Sequence, residues 1–299
     1  MPDIHTILAH LEADMAPDAG RLFQQLATEY LAGTRTGEGP VSTSLTASQI
    51  AERFDEPLPR GQRPLAEVAE RVARDVVSDA NHLWHPMYVG HQVSAPLPAA
   101  VWTDVVTSAI NQSLAVWEMS PTLTVLETQV IRWMCDLAGL GPAAGGTFTS
   151  GGTEATFTAL LAARAAALPD AWEHGVGANP PVVVCGEHAH YAITRAVAEL
   201  GLGMRAVVVV PSERHGMSVP ALRRTLDELA ASGRAVMAVV ATAGSTATGT
   251  FDDLHAIADE CDRHGSWLHV DGAHGASALL SGEHRHRLRG VERARSLAW

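Results

Sequence analysis

The chain has 299 residues, 46% of them hydrophobic and 18% charged, so it is long enough to bury a core as one or two domains. Its net charge of −12 argues against nucleic acid and anionic membrane as partners, because both bind basic surfaces. Three widely spaced cysteines, no signal-peptide pattern and no membrane-spanning apolar run predict a cytoplasmic protein without disulfides or a zinc site.

The first third of the chain is predicted to be helical. Apolar residues at three- and four-residue spacing predict helices over residues 3–33 and 64–81, the second through Leu65, Val68, Val72 and Val76. The stretch 33–64 is rich in Gly, Pro, Ser and Thr and is interpreted as a mostly irregular connector.

From about residue 100 the pattern changes to short apolar runs that alternate with helical periodicity. The predicted strands are Val182–Cys185, Ala206–Val210, Val236–Ala241 and Trp267–Val270. The predicted helices are Thr153–Ala167, Tyr191–Leu200, Pro220–Ala231 and Asp253–His264. Apolar strands separated by helices indicate an α/β fold with a parallel sheet covered on both faces. The apolar residues Ser296–Trp299 resemble the start of another strand.

The sequence GGTFTSGGTEAT at residues 145–156 leads small residues directly into a predicted helix. Free backbone N–H groups and the positive end of a helix dipole would then meet at one point, which suits a phosphate group. It contains neither a Walker lysine nor a GxGxxG pattern. A tight turn with a threonine cap is an equally good interpretation of this segment alone.

The sequence WLHVDGAH at residues 267–274 places Asp271 at the end of a buried strand. A carboxylate there needs a positive partner, and a pyridinium nitrogen would provide one. Metal binding with His269 and His274 is a rival, weakened because adjacent strand residues point to opposite faces. A helix-capping role for Asp271 is the structural alternative.

The sequence EHAHY at residues 187–191 directly follows the first predicted strand. Ligands bind at the carboxyl ends of strands in open α/β sheets, so a histidine here could stack on an aromatic cofactor. Without the two other motifs, a solvated loop residue is the better interpretation.

Together these motifs resemble the group II pyridoxal-phosphate-dependent amino-acid decarboxylases. The resemblance runs from about His85 to Trp299 and includes HPMY at 85–88, WEMSP at 117–121 followed by Glu127, TFTSGGTEAT at 147–156, HAHYA at 188–192 and HVDGAH at 269–274. It implies a fold-type-I, PLP-dependent transferase-like large domain over residues 100–299. Residues 1–99 would form an N-terminal helical segment with a substrate-pocket element, and a C-terminal small domain would be missing.

The resemblance also implies roles for individual residues. Gly152 and Thr153, with Gly151 nearby, would hold the phosphate of pyridoxal phosphate, and Thr246 would place a hydroxyl near the cofactor. The cofactor ring would be held by a stacking residue, a partner of its nitrogen and a residue beneath it: His190, Asp271 and Ala273. Of these, His190 and Asp271 are the predicted catalytic residues. The resemblance further implies a homodimer, which is the expected assembly of the full-length protein.

One residue type is absent. All 21 basic residues are arginines, and the sequence contains no lysine. The resemblance implies that the Schiff-base lysine comes just after Trp299, so we expect these 299 residues alone to be inactive.

The substrate is expected to be an L-amino acid. In the family the element around His85 lines the substrate pocket, and here it continues with His91, Gln92 and Ser94. These polar residues favour a polar or acidic substrate side chain, although His91 and Gln92 could equally satisfy backbone groups.

Two other functions compete with a decarboxylase. An aminotransferase or a cysteine desulfurase would use the same cofactor, but the HPMY and WEMSP elements argue against them. A non-catalytic fragment or pseudoenzyme is favoured by the absence of lysine and opposed by the complete set of cofactor-binding positions.

Overall fold

The computed structural model describes residues 4–15 and 18–299. It divides into two compact units, the first ending at Asn111 and the second running from Gln112 to Trp299. No helix among the described residues has the length and apolar content to cross a membrane.

The first unit is helical. Its helices are α1 (Ile4–Asp14), α2 (Arg21–Thr34), α3 (Ala47–Phe54), α4 (Leu65–Asp75) and α5 (Pro98–Ile110), with a 3-10 turn at Val77–Asp79.

The single helix predicted over residues 3–33 is wrong, since the structure has α1 and α2 there; residue 3 itself lies outside the described residues. The sequence between these helices contains Pro17 and Gly20, both poor helix formers. The predicted connector 33–64 contains α3, which begins with a capping box between Thr46 and Gln49.

The second unit is built on a five-stranded parallel sheet with the order β2-β1-β5-β6-β7. Its strands are β1 (Val182–Gly186), β2 (Val207–Val210), β5 (Val236–Thr242), β6 (Trp267–Asp271) and β7 (Ser296–Ala298). An antiparallel hairpin of β3 (Ser212–Glu213) and β4 (Gly216–Met217) stands outside this sheet. The four predicted strands and the predicted strand start at Ser296 are confirmed.

The helices of the second unit cover both faces of the sheet. They are α6 (Pro121–Leu137), α7 (Gly152–Ala167), α8 (Ala171–His174), α9 (Ala192–Glu199), α10 (Val219–Ala231) and α11 (Leu254–His264). Further 3-10 turns occur at Trp117–Met119, Met204–Ala206, Ala276–Leu280, Arg285–Leu288 and Val291–Arg293. One core packs residues of α7 and α9 against Val183 and Val240, and the other packs α10 and α11 against Val184 and Val239. This alternation explains why residues 182–185 of β1 and 236–241 of β5 are continuous apolar runs.

The strand order reverses between β1 and β5. From β1 the chain moves outward to β2, then returns to the other side of β1 and continues through β6 to β7. A crevice forms outside the carboxyl ends of the strands at such a switch point, and ligands bind there in open α/β folds.

Candidate active site

A cavity of about 250 Å³ lies at the carboxyl ends of β5 and β6, beside the start of α7. It is lined by Gly152, Thr153, His190, Thr242, Gly244, Thr246, Asp271, Ala273 and His274. The structure therefore brings together six of the seven residues predicted to bind the cofactor. The seventh, Gly151, directly precedes the first residue of α7.

The start of α7 presents backbone donors at one edge of the cavity. Gly151 is the N-cap residue and its position has no side-chain cap, so no side chain occupies the first N–H groups of the helix. Glu154 instead bonds backward, accepting the Ser150 N–H at 2.7 Å, and hydrogen bonding from the Ser150 side chain, followed by its backbone N–H, lowers the pKa of the Glu154 carboxyl. The helix start is thus ordered while its amides at Gly152 and Thr153 are available to an anion.

The loop that precedes α7 is tied to α6 by Glu127. Its carboxylate accepts a hydrogen bond from the backbone N–H of Phe148 at 2.9 Å. In the sequence, Glu127 is notable only because it follows a motif of the family. In the structure, its carboxylate holds the loop that precedes α7.

Gly152 and Ala273, which both line the cavity, lie very close to each other. A Cβ atom added to Gly152 would lie only 2.6 Å from the Cβ of Ala273, a distance that real side chains do not tolerate. Glycine at residue 152 therefore lets α7 approach the loop that follows β6.

Asp271, the last residue of β6, carries a buried carboxyl group at the cavity. Burial raises its pKa, while the backbone N–H of Ala273, at 3.3 Å from Oδ1, and the charge of His190 oppose the rise. No cationic side chain of the described residues forms an ion pair with it. A buried carboxylate without a cationic partner favours a ligand that brings a positive charge or a proton.

His190 is held in place by its own backbone neighbourhood. Its Nδ1 accepts a hydrogen bond from the backbone N–H of Ala192 at 3.2 Å. Its ring lies 4.2 Å from the ring of Tyr191, centroid to centroid. The imidazole is thus fixed at the cavity wall, where an aromatic ligand could stack on it.

The remaining wall comes from the segment after β5 and from His274. Thr246 was predicted as a site residue, whereas Thr242, Gly244 and His274 were not. Gly244 has φ of +84°, and a Cβ on it would lie 2.9 Å from the Cα of Gly275. In the sequence, Gly244 is marked only as a glycine that follows an apolar strand, and this pattern is too common to identify a binding site by itself.

The histidines flanking Asp271 do not converge with it. His269 is fully buried inside β6, where its Nδ1 lies 2.9 Å from Ser296 Oγ on β7. His274 is exposed at the cavity wall. Across the described parts of the chain, no group of three or more His, Cys, Asp or Glu side chains has the arrangement of a metal site.

The predicted substrate-pocket residues belong to the first unit. His85 is buried and its Nδ1 accepts the backbone N–H of Met87 at 3.1 Å. His91 and Gln92 are exposed in the left-handed backbone region, with φ of 57° and 48°, and Ser94 is also exposed. Their role in a substrate pocket stays a prediction.

A known protein family matches most of the chain. Residues 48–299 match the model of the pyridoxal-dependent decarboxylase conserved domain. The chain therefore belongs to the pyridoxal-dependent decarboxylase family.

Curated relatives agree with this assignment. L-2,4-diaminobutyrate decarboxylase of Rhizobium meliloti (strain 1021) is 39% identical over 243 residues, 81% of this chain and 48% of the relative. Cysteine sulfinic acid decarboxylase of Rattus norvegicus is 37% identical over 238 residues, 78% of this chain and again 48% of the relative. The chain thus spans about half the length of these relatives.

The solved structures give the same fold. The crystal structure of mouse CSAD in its apo form superposes with a TM-score of 0.87 at 31% identity, covering 99% of this chain and 60% of that protein. The expected fold class is confirmed.

The residues present fit pyridoxal phosphate. The buried Asp271 lacks a cationic partner among the described side chains, and the missing side chain at Gly152 keeps the start of α7 open beside it. An acceptor for a pyridinium nitrogen and donors for a phosphate therefore line one cavity.

Proposed function

We propose that this chain forms the cofactor-binding part of an enzyme that decarboxylates an L-amino acid to the corresponding amine and carbon dioxide. The observation that carries the proposal is the single cavity lined by Asp271, His190 and the first residues of α7. When bound, pyridoxal phosphate supplies an electron sink for the electron pair left behind as carbon dioxide departs.

The side chains of this chain prepare the site for that chemistry. Asp271 holds a proton at the pyridine nitrogen, because a buried carboxylate is stabilised by a positive partner. His190 would stack on the ring and Ala273 would pack against it, since both line the cavity. The amides of Gly152 and Thr153, with Gly151 nearby, would bind the phosphate, and Thr246, which also lines the cavity, would place a hydroxyl near the cofactor.

These 299 residues bind the cofactor without a covalent bond and are inactive alone, since they contain no lysine. We place the Schiff-base lysine just after Trp299 in a longer product. The test is carbon dioxide release by a protein that includes that lysine and by its Lys→Ala variant. Release by the first protein only is expected, whereas no release by either with any L-amino acid would contradict the proposal.

The substrate we propose is an L-amino acid with a short polar side chain. His91, Gln92 and Ser94 are polar and exposed, and the relatives act by name on diaminobutyrate and on cysteine sulfinic acid, which are both short and polar. A panel of L-amino acids tests this choice. Faster turnover of aromatic amino acids than of short polar ones would contradict it.

We also propose a homodimer as the working assembly. The second unit exposes more than half of the surface of several large apolar side chains near α6: Trp117, Met119, Val125, Leu126 and Trp133. Exposed apolar surface of this extent is typical of an interface.

The three free, buried cysteines support a reducing compartment such as the cytoplasm.

A further inference from the structure

The buried carboxylate of Asp252 joins two backbone segments next to the candidate cofactor cavity. Its Oδ2 accepts a hydrogen bond from the backbone N–H of Thr242 at 2.7 Å, and its Oδ1 accepts one from Met217, also at 2.7 Å. The backbone N–H of Asp252 donates in turn to the Thr242 carbonyl at 2.9 Å. Asp252 is only 8% exposed, so water competes little for these bonds.

Thr242, one of the two residues whose N–H groups bond to Asp252, is the first residue of the segment 242–246, which forms one wall of the cavity. It ends β5, and both it and Thr246 line the cavity. The intervening Ala243 donates its N–H to the carbonyl oxygen of Asp271 at 2.8 Å. The carboxylate that holds Thr242 therefore holds the segment that contacts the backbone of Asp271.

The other anchored residue, Met217, lies in the hairpin that packs on the end of β1. A Cβ added to Gly186 would lie 3.4 Å from the Cβ of Met217, so the hairpin and the end of β1 are in contact. The chain continues from there to His188 and His190. Ser245 Oγ donates to the His188 carbonyl at 3.1 Å, which closes the connection between the two walls.

We propose that Asp252 is a positioning residue for the cofactor: its two hydrogen bonds hold the wall formed by residues 242–246 against Asp271. It acts through that wall, because Asp252 itself is not among the residues that line the cavity. This inference rests on the proposed function of the cavity as a pyridoxal-phosphate site.

The chemistry of the contact requires a carboxylate. Two backbone N–H groups from different segments bond to its two oxygens, and an asparagine offers only one acceptor oxygen. Burial raises the pKa of Asp252, while the N–H groups of Thr242 and Met217 and the charge of His188 oppose the rise. An Asp252→Asn substitution would leave one buried N–H without a partner.

The test compares Asp252→Asn with Asp253→Asn in the 299-residue chain. Asp253 is the matched control, because its side chain caps α11 through the Ala256 N–H at 3.1 Å and asparagine caps helices equally well. We expect Asp252→Asn to raise the dissociation constant for pyridoxal phosphate about tenfold, and Asp253→Asn to leave it unchanged. Hydrogen exchange in the cofactor-free Asp252→Asn protein should accelerate at residues 242–246 and stay unchanged in β2.

Unchanged cofactor affinity, or exchange that rises equally throughout the sheet, would overturn the positioning role. Asp271→Asn, measured in parallel, separates this failure from failure of the site itself: if that variant also keeps its affinity, the proposed cofactor site is wrong. Should Asp252→Asn not fold, Asp252→Glu is measured instead, since it keeps both acceptors but displaces them. A folded Asp252→Glu protein with unchanged affinity would likewise overturn the role.

Discussion

Gly152 at the start of α7 and Ala273 after β6 approach so closely that a methyl group on Gly152 would lie 2.6 Å from the Ala273 Cβ. Both residues line the candidate cofactor cavity. The contact therefore sets how near the helix amides come to the loop that follows Asp271, and several expectations depend on this geometry.

Gly152→Ala should push α7 away from that loop and weaken cofactor binding. Overpacking at such a contact costs about 1–3 kcal/mol, and because moving α7 away from the loop relieves that cost at the expense of the site, the affinity for pyridoxal phosphate should fall by up to roughly a hundredfold. Spectroscopic titration of the cofactor measures the change. Gly282→Ala is the control, because a Cβ there meets nothing within 4 Å and its affinity should equal that of the unsubstituted chain. Equal affinities for all three proteins would argue against this cavity as the site.

Asp271→Asn should separate cofactor affinity from stability. Loss of the charged acceptor should weaken binding of pyridoxal phosphate about ten- to a hundredfold, because hydrogen bonds to charged groups contribute roughly 1.5–3 kcal/mol. Titration measures it, with the exposed Glu199→Gln as a control that should bind normally.

The cofactor-free Asp271→Asn protein should be at least as stable as the unsubstituted chain at neutral pH. Because burial raises the pKa of Asp271 above its ordinary value of 3.8, the folded state binds the proton more tightly than the unfolded state. The unsubstituted chain therefore loses stability as pH rises from 3.8 through the folded pKa, and the amide removes that loss. Urea unfolding at pH 7 tests this, and a clearly less stable variant would mean that Asp271 has a structural role instead.

His269→Gln should make the fold less sensitive to acid. Burial lowers the pKa of His269 to about 4 from 6.5, with the bond to Ser296 opposing. Between these values the unfolded chain binds a proton that the folded chain does not, so the free energy of unfolding falls by up to about 3 kcal/mol as pH falls from 6.5 to 4.

The measurement for His269 is the difference in unfolding free energy between pH 7 and pH 4.5, compared between variants. The difference should shrink in His269→Gln and stay unchanged in His174→Gln, whose imidazole is 77% exposed. Asp252 and Asp271 have raised pKa values, so they change the free energy of unfolding with pH in the direction opposite to His269. Their contributions are the same in all the proteins compared and therefore cancel. Equal acid sensitivity in both variants would show that His269 is not the responsible group.

Val125→Asp on α6 should dissociate the proposed homodimer. Val125 is 57% exposed in an apolar patch, and a carboxylate buried in an interface without a partner is strongly unfavourable. Sedimentation velocity over a range of concentrations gives the assembly state. Leu280→Asp, at a similarly exposed site with 67% of its surface accessible, is the control. A monomeric unsubstituted protein at all concentrations would contradict the proposal.

The sheet was predictable from sequence because β1, β2 and β5 contain continuous apolar runs, and β1 and β5 are buried along their whole length or nearly so. The place of Asp271, His190 and Gly152 at the cavity was predictable because each lies at a strand end or helix start within a recognisable motif. The place of Thr242 and Gly244 at the cavity and the bond from Met217 to Asp252 were not, since they depend on residues distant in sequence. Apolar periodicity alone does not indicate the division between α1 and α2, although Pro17 and Gly20 lie between these helices in sequence.

The most direct test of the central claim is peptide mapping of the natural gene product after borohydride reduction in the presence of pyridoxal phosphate. We expect a pyridoxyl group on a lysine just after Trp299, and its loss when Asp271→Asn weakens the site. A product that ends at Trp299, with no adduct apart from its N-terminal amine and no saturable binding of pyridoxal phosphate, would contradict the proposed function.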